Sequence, residues 1–276
     1  MNNIFMNNLK SKLDFIDLEY RGYSEIENIP YENLYNSIEL YAINKELMST
    51  SISLVLLRGL LATSNKKAYL FKEGYKNRLS QYWHAMEVAH MLMDLRLSLN
   101  QNDEDVLLSV CLLHVLEKLD IKQDAMDYIR NKCYLDPKIF YILNLCKHGR
   151  YQTEMERKIY YANIQRDYLA LLFKLADRGC FITRLYELPA SKARDYVSDT
   201  KNYFLPMCVY GKEHYEEFSG TISILMEKNR NLVDIVDIIS RNYERIHQNL
   251  NDEILRYLEE NSRIRMEIKK LKGPNN

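Results

Sequence analysis

Apolar residues recur along this chain every three or four positions, the spacing of one helix face, and no stretch sustains the two-residue alternation of a half-buried strand. The pattern therefore predicts an all-α protein. After the break at Pro30, Tyr31–Leu60 carries this spacing and has room for one or two helices. Leu79–Leu97 then places His84, Val88, Met91 and Leu95 on one stripe. The segment LNQND interrupts it, and Asn102 or Asp103 is suited to cap a helix over Glu104–Leu119, where Leu107, Cys111, His114 and Lys118 fall in line. Helices over Gln123–Lys132 and Lys138–Lys147 follow, the second opened by Asp136 as N-cap and Pro137 at the first position. Two more are predicted over Met155–Asn163 and Gln165–Tyr186, the latter stopped by Pro189.

In the last part of the chain, Tyr243, Ile246, Leu250, Ile254, Tyr257, Ile264, Ile268 and Leu271 follow steps of three and four, with one extra step of four and Asn261 in a core slot. That suits a long C-terminal helix forming a coiled-coil seam with a stutter, and hence a homodimer. It suits equally a long helix lying on the protein's own core. Three zones result: an N-terminal helical extension (1–60), a helical core domain (61–210) and a C-terminal helical tail (211–276).

Composition narrows the class. With 276 residues, 47% of them hydrophobic, the chain can bury a real core, and only 8 Gly and 5 Pro favour long, unbroken helices. The formal net charge of zero provides no bulk field toward nucleic acid or an anionic membrane, and neither is expected as a partner. The start, MNNIFMNNLKSKL, has no apolar signal-peptide region, and Leu54–Ala62 and Val106–Leu116 fall short of the roughly 20 residues a membrane span needs. Cys111, Cys133, Cys146, Cys180 and Cys208 form no C-x-x-C pair and read as buried thiols of a reducing, cytoplasmic compartment.

His84 and His114 lie on the apolar stripes of their helices, where a single histidine is ordinarily a hydrogen-bonded core residue. Two of them, together with Asp177 at the edge of a third apolar helix (LLFKLADRG), are harder to explain by packing alone. A buried carboxylate needs a cation or a group of donors. Lys174 and Arg178 flank Asp177, so a local ion-pair network is one reading. Lys147, His148, Arg150, Lys174 and Arg178 are candidates to line a phosphate-binding cleft, or are simply solvated helix faces. The 22 tyrosines offer stacking surface, but most must serve the core.

From about Lys66 to Met207 the chain resembles the HD-domain superfamily, most closely the hydrolase domain of RelA/SpoT-type guanosine polyphosphate 3'-pyrophosphohydrolases. HAMEVAHML (84–92) resembles that family's first metal-histidine helix, and LLSVCLLHVLEKLD (107–120) the helix that ends in its HD dipeptide. LLFKLADRGCFITRL (171–185) resembles the late helix with the distal metal aspartate, and ELPASKARDYVSDTKNYFLPMC (187–208) the segment that follows. The resemblance implies an HD-like helical bundle with His84, His114 and Asp177 as ligands of a divalent ion, Mn²⁺ foremost, which would activate a water for attack on phosphorus.

The departures are as informative. The HD aspartate is Val115, and the family's acidic pair falls on Lys118 and Leu119, with Glu117 one place early. A later asparagine is Phe181, and Arg78 stands about three residues too close to serve easily as the base-contacting arginine. Glu117 and Lys118 remain the candidate catalytic positions; Arg78, Lys147, Lys174 and Arg178 are the candidate ligand-binding ones. The resemblance thus implies a catalytically impaired pseudohydrolase that binds a partner or a nucleotide such as a guanosine polyphosphate. The alternative is an active metal-dependent hydrolase in which Glu117, Asp120 or Glu87 supplies the missing oxygen.

Overall fold

The computed structural model describes residues 32–66, 78–115, 129, 131, 133–147, 153–180, 190–234, 248, 252–256, 259, 260, 263 and 264. Among them every regular element is helical and none is a strand, as the spacing predicts.

The first two helices, α1 (Glu32–Asn44) and α2 (Met48–Lys66), answer the expectation for Tyr31–Leu60. The turn between them closes with Leu47 N–H donating to the Ala42 carbonyl (2.8 Å) and Glu46 N–H to that of Ile43 (3.2 Å). This Schellman arrangement places Glu46 in the left-handed region, at φ 56°. The N-terminus of α2 is capped by a residue from another helix. Ser49 N–H and Thr50 N–H donate to the two oxygens of the Asp105 carboxylate at 2.8 and 2.7 Å, and the Thr50 hydroxyl adds a third bond at 2.8 Å. Those donors satisfy amides that the first turn of any helix leaves open.

Next come α3 (Arg78–Asp94) and α4 (Gln101–Leu113). The N-cap of α4 is Asn100, not Asn102 or Asp103: its side-chain oxygen accepts from Asp103 N–H at 2.9 Å. Asp103 is otherwise engaged, taking Lys138 Nζ at 2.8 Å and the Tyr168 hydroxyl. Ten residues of α4 are buried, from Asp103 to Leu113, so this helix runs through the middle of the molecule. It packs on α2, on α3 and on two later helices, α5 (Pro137–Cys146) and α7 (Tyr168–Cys180). His114 and Val115 form a 3-10 turn at its end. The expected extension to Leu119 lies outside the described residues, as does Gln123–Lys132 apart from the helical Ile129 and Asn131.

Asp136 and Pro137 open α5 as predicted, with the Asp136 carboxylate accepting Lys138 N–H at 2.7 Å. α6 (Glu154–Ile164) begins with a reciprocal capping box between Thr153 and Glu156. The single helix expected from Gln165 is interrupted. Gln165 belongs to the end of α6, and Asp167 restarts the chain by accepting Ala170 N–H at 3.0 Å, so that α7 begins at Tyr168. Residues 181–189, including Pro189, lie outside the description.

α8 (Ala190–Asp199) passes through a π-turn (Thr200–Phe204) into α9 (Leu205–His214). Pro206 brings no N–H to this join, where a wider turn is tolerated. A 3-10 turn (Glu216–Phe218) leads to α10 (219–234). Asn229, fully buried on α10, donates to the carbonyls of Leu175 (3.0 Å) and Leu225 (2.8 Å), pinning α10 to α7.

Side chains from α1 and α2, such as Ile38 and Leu57, share one core with Leu107, Leu172, Cys208 and Ile222. The boundaries expected at 60/61 and 210/211 fall inside α2 and α9. Among the described residues no helix is long and apolar enough to cross a membrane. All five cysteines are buried, and none is in a disulfide. In the tail, the described residues between 248 and 264 are helical and exposed, Ile254 and Ile264 included; the other seam positions lie outside the description.

Candidate metal centre

Three helices deliver the three expected ligands to one place. α3 carries His84, fully buried between Ala85, Met86 and Val88 of the same helix. The 3-10 turn closing α4 presents His114, and α7 presents Asp177 one turn from its C-terminal end. His84 Nε2 lies 2.8 Å from Asp177 Oδ1, and His114 Nε2 lies 3.4 Å from the same oxygen. The imidazoles meet edge to face, centroids 5.3 Å apart, and the Phe173 ring packs against His114 at 5.1 Å.

The orientation of His114 is set from behind. Its Nδ1 sits 2.6 Å from the Cys111 carbonyl oxygen, which can only accept, so the proton is on Nδ1. In the neutral ring the Nε2 lone pair then faces a carboxylate oxygen, an arrangement that favours a shared proton or cation between them. A backbone carbonyl holding the far nitrogen is the usual support of a metal-ligating histidine.

One donor atom from each of the three residues falls within 4.8 Å of the others. Metal–ligand bonds of about 2.1 Å place neighbouring ligand atoms roughly 3.0–3.5 Å apart. The 2.8 and 3.4 Å separations are close to that spacing. Two imidazoles and a carboxylate suit a borderline divalent ion and leave coordination positions open.

Burial alone would raise the Asp177 carboxyl. The His84 hydrogen bond and the charges of His114 and Lys174 outweigh it and hold the group well below the usual carboxylate range. Lys174 Nζ stands 3.6 Å from Asp177 Oδ2. The ion-pair network expected around Asp177 is therefore present in part, on the oxygen that the histidines do not face.

Arg178 is held by aromatic rings. Its guanidinium lies over the rings of Tyr196 (3.9 Å) and Phe204 (4.1 Å), and the residue is only 6% exposed. A cation buried under two aromatic faces is not available to a phosphate cleft. Lys147 is exposed at the C-cap of α5. Arg78 opens α3. Glu117, Lys118, Asp120, His148, Arg150 and Phe181 lie outside the described residues. Val115 is 1% exposed and belongs to the hydrophobic core.

Two features near the centre have no local signature. Cys111 and Cys180 belong to its surroundings: burial pushes both thiols up, and the Asp177 charge adds to this. They are protonated, inert neighbours and not nucleophiles. A cavity of about 740 Å³ also opens one turn further along α3 and α7, reaching Glu87, Met91 and Cys180 and closed on its far side by α10. Compared with known proteins, the chain matches no family model, and no curated protein matches it in sequence.

Proposed function

We propose that this protein is a RelA/SpoT-like HD scaffold whose metal centre is incomplete: a pseudohydrolase that binds a divalent ion at His84, His114 and Asp177 and a nucleotide phosphate or a protein partner without turnover. The convergence of these three side chains beside a buried Val115 supports this reading most directly. Valine offers no lone pair, and at 1% exposure it is packing. A divalent ion held by His84, His114 and Asp177 would supply Lewis acidity and positive charge for a phosphate. The chain's own part is to hold the two nitrogens and the oxygen in place: Cys111 fixes the His114 ring, and Lys174 adds positive charge beside Asp177.

The alternative is an active hydrolase, Mn²⁺-dependent and acting on a guanosine polyphosphate. It draws support from the ligand set itself, since three protein ligands with open positions is the form catalytic sites take. Elemental analysis of purified protein, paired with pyrophosphate release from guanosine tetraphosphate in Mn²⁺, separates the two. Stoichiometric metal without release supports the pseudohydrolase. Release that disappears in His114→Ala supports the enzyme. Neither metal nor release removes both.

Two further assignments belong to the same proposal. The exposed Ile254 and Ile264 support a homodimer through the C-terminal helix, since each presents apolar surface at a seam position. Five buried thiols without a disulfide suit a reducing compartment, and we place the protein in the cytoplasm.

A further inference from the structure

Lys174 stands one helical turn before Asp177 on α7, and residues three apart on a helix share a face. Its Nζ lies 3.6 Å from Asp177 Oδ2. The same ammonium is 5.5 Å from the centroid of the Phe173 ring, which itself packs against His114. The Lys174 side chain is 13% exposed and that of Asp177 21%, so little water screens the two charges from each other.

The charges at the centre follow from these contacts. A metal-ligating imidazole is neutral, so His84 and His114 contribute none. Asp177 contributes one negative charge and Lys174 one positive, and the four side chains together are neutral. Val115 adds no negative charge where the resemblance puts an aspartate. The carboxylate offered to a divalent ion thus already has a cation on its other oxygen. Where water is largely excluded, a unit charge on the same carboxylate shifts the binding constant of such an ion by about tenfold or more.

We propose that Lys174 is an internal rival of the metal ion: it neutralises Asp177 in the metal-free protein, and its charge sets the affinity of the centre. This rests on the metal-binding reading of His84, His114 and Asp177 and deepens it. The centre is weakened by a cation that is present as much as by an aspartate that is missing.

Titration of the full chain with Mn²⁺, followed by loss of the free-ion electron paramagnetic resonance signal, tests it. Lys174→Met should bind Mn²⁺ at least about tenfold more tightly than the native chain, Lys174→Glu more tightly again, and Lys174→Arg, which keeps the charge, within about threefold of native. In EDTA, Lys174→Met should melt below the native protein, because Asp177 has lost its partner, and Mn²⁺ should then raise its melting temperature further than it raises the native one. A lysine that served only packing would give no such order by charge. Lys174→Gln carries the same comparison if the methionine variant does not fold. Equal or weaker Mn²⁺ affinity in the folded neutral variant overturns the rivalry and leaves the metal centre standing. No Mn²⁺ binding by any form removes the metal-binding reading, and the rivalry with it.

Discussion

His84 Nε2 and Asp177 Oδ1 lie 2.8 Å apart across 93 residues of sequence, joining α3 to α7. The histidine is fully buried, and the Asp177 side chain is 21% exposed. Removing one member leaves the other under-compensated in the interior. His84→Ala should lower unfolding free energy by on the order of 3 kcal/mol in metal-free protein. Asp177→Asn, which keeps shape and one acceptor, should lower it by less. Urea denaturation of both variants checks the order.

Metal should reveal itself through stability as well as content. Val115→Asp puts a carboxylate into a position only 1% exposed, next in sequence to His114. Without metal that variant should melt well below the native protein. With Mn²⁺ it should gain more in melting temperature than the native chain does, because binding to the folded state alone stabilises it. An equal Mn²⁺ shift in both proteins would show that the new oxygen does not reach the ion.

Asp105 caps a helix it does not belong to. Asp105→Ala removes the acceptor for two N–H groups at the start of α2 and should cost about 1–2 kcal/mol. Asp105→Asn should recover part of that. Hydrogen exchange should quicken at Ser49 and Thr50 before it does in α4.

Acid should act through Asp103. Burial would raise its carboxyl, but hydrogen bonds from Lys138, Tyr168 and Asn100 bring it net below the ordinary value. A group with a depressed folded pKa contributes its stability above the unfolded value of about 4 and loses it as pH falls through the lower folded value. Lys138→Met lessens the depression, so its acid unfolding, followed by circular dichroism, should begin at higher pH than that of the native protein.

Deleting residues 241–276 should convert a dimer into a monomer by light scattering. The cut must fall beyond α10, whose Leu232 and Val233 are buried. A mass that stays monomeric in both forms would remove the coiled-coil assignment.

Much of this was legible locally. Asp136-Pro137 marks a helix start through chemistry confined to three residues, and the stripes bearing His84 and His114 follow from period alone. What escaped depends on distant partners. Three polar residues compete to begin α4, and Asn100 wins because Lys138 and Tyr168 draw the Asp103 carboxylate into their own network. Arg178 adjoins Asp177 in sequence, yet one residue turns a helix by about 100°, enough to carry its guanidinium to Tyr196 and Phe204. The cavity needed α10 laid against α7, which Asn229 secures through a carbonyl 54 residues away.

The tie from Asp105 to α2 bears on how the protein is divided in the laboratory. An expression fragment starting at residue 61 would discard Ile52, Leu54 and Leu57, all fully buried, and bare the α4 surface that α2 covers. Such a fragment should aggregate.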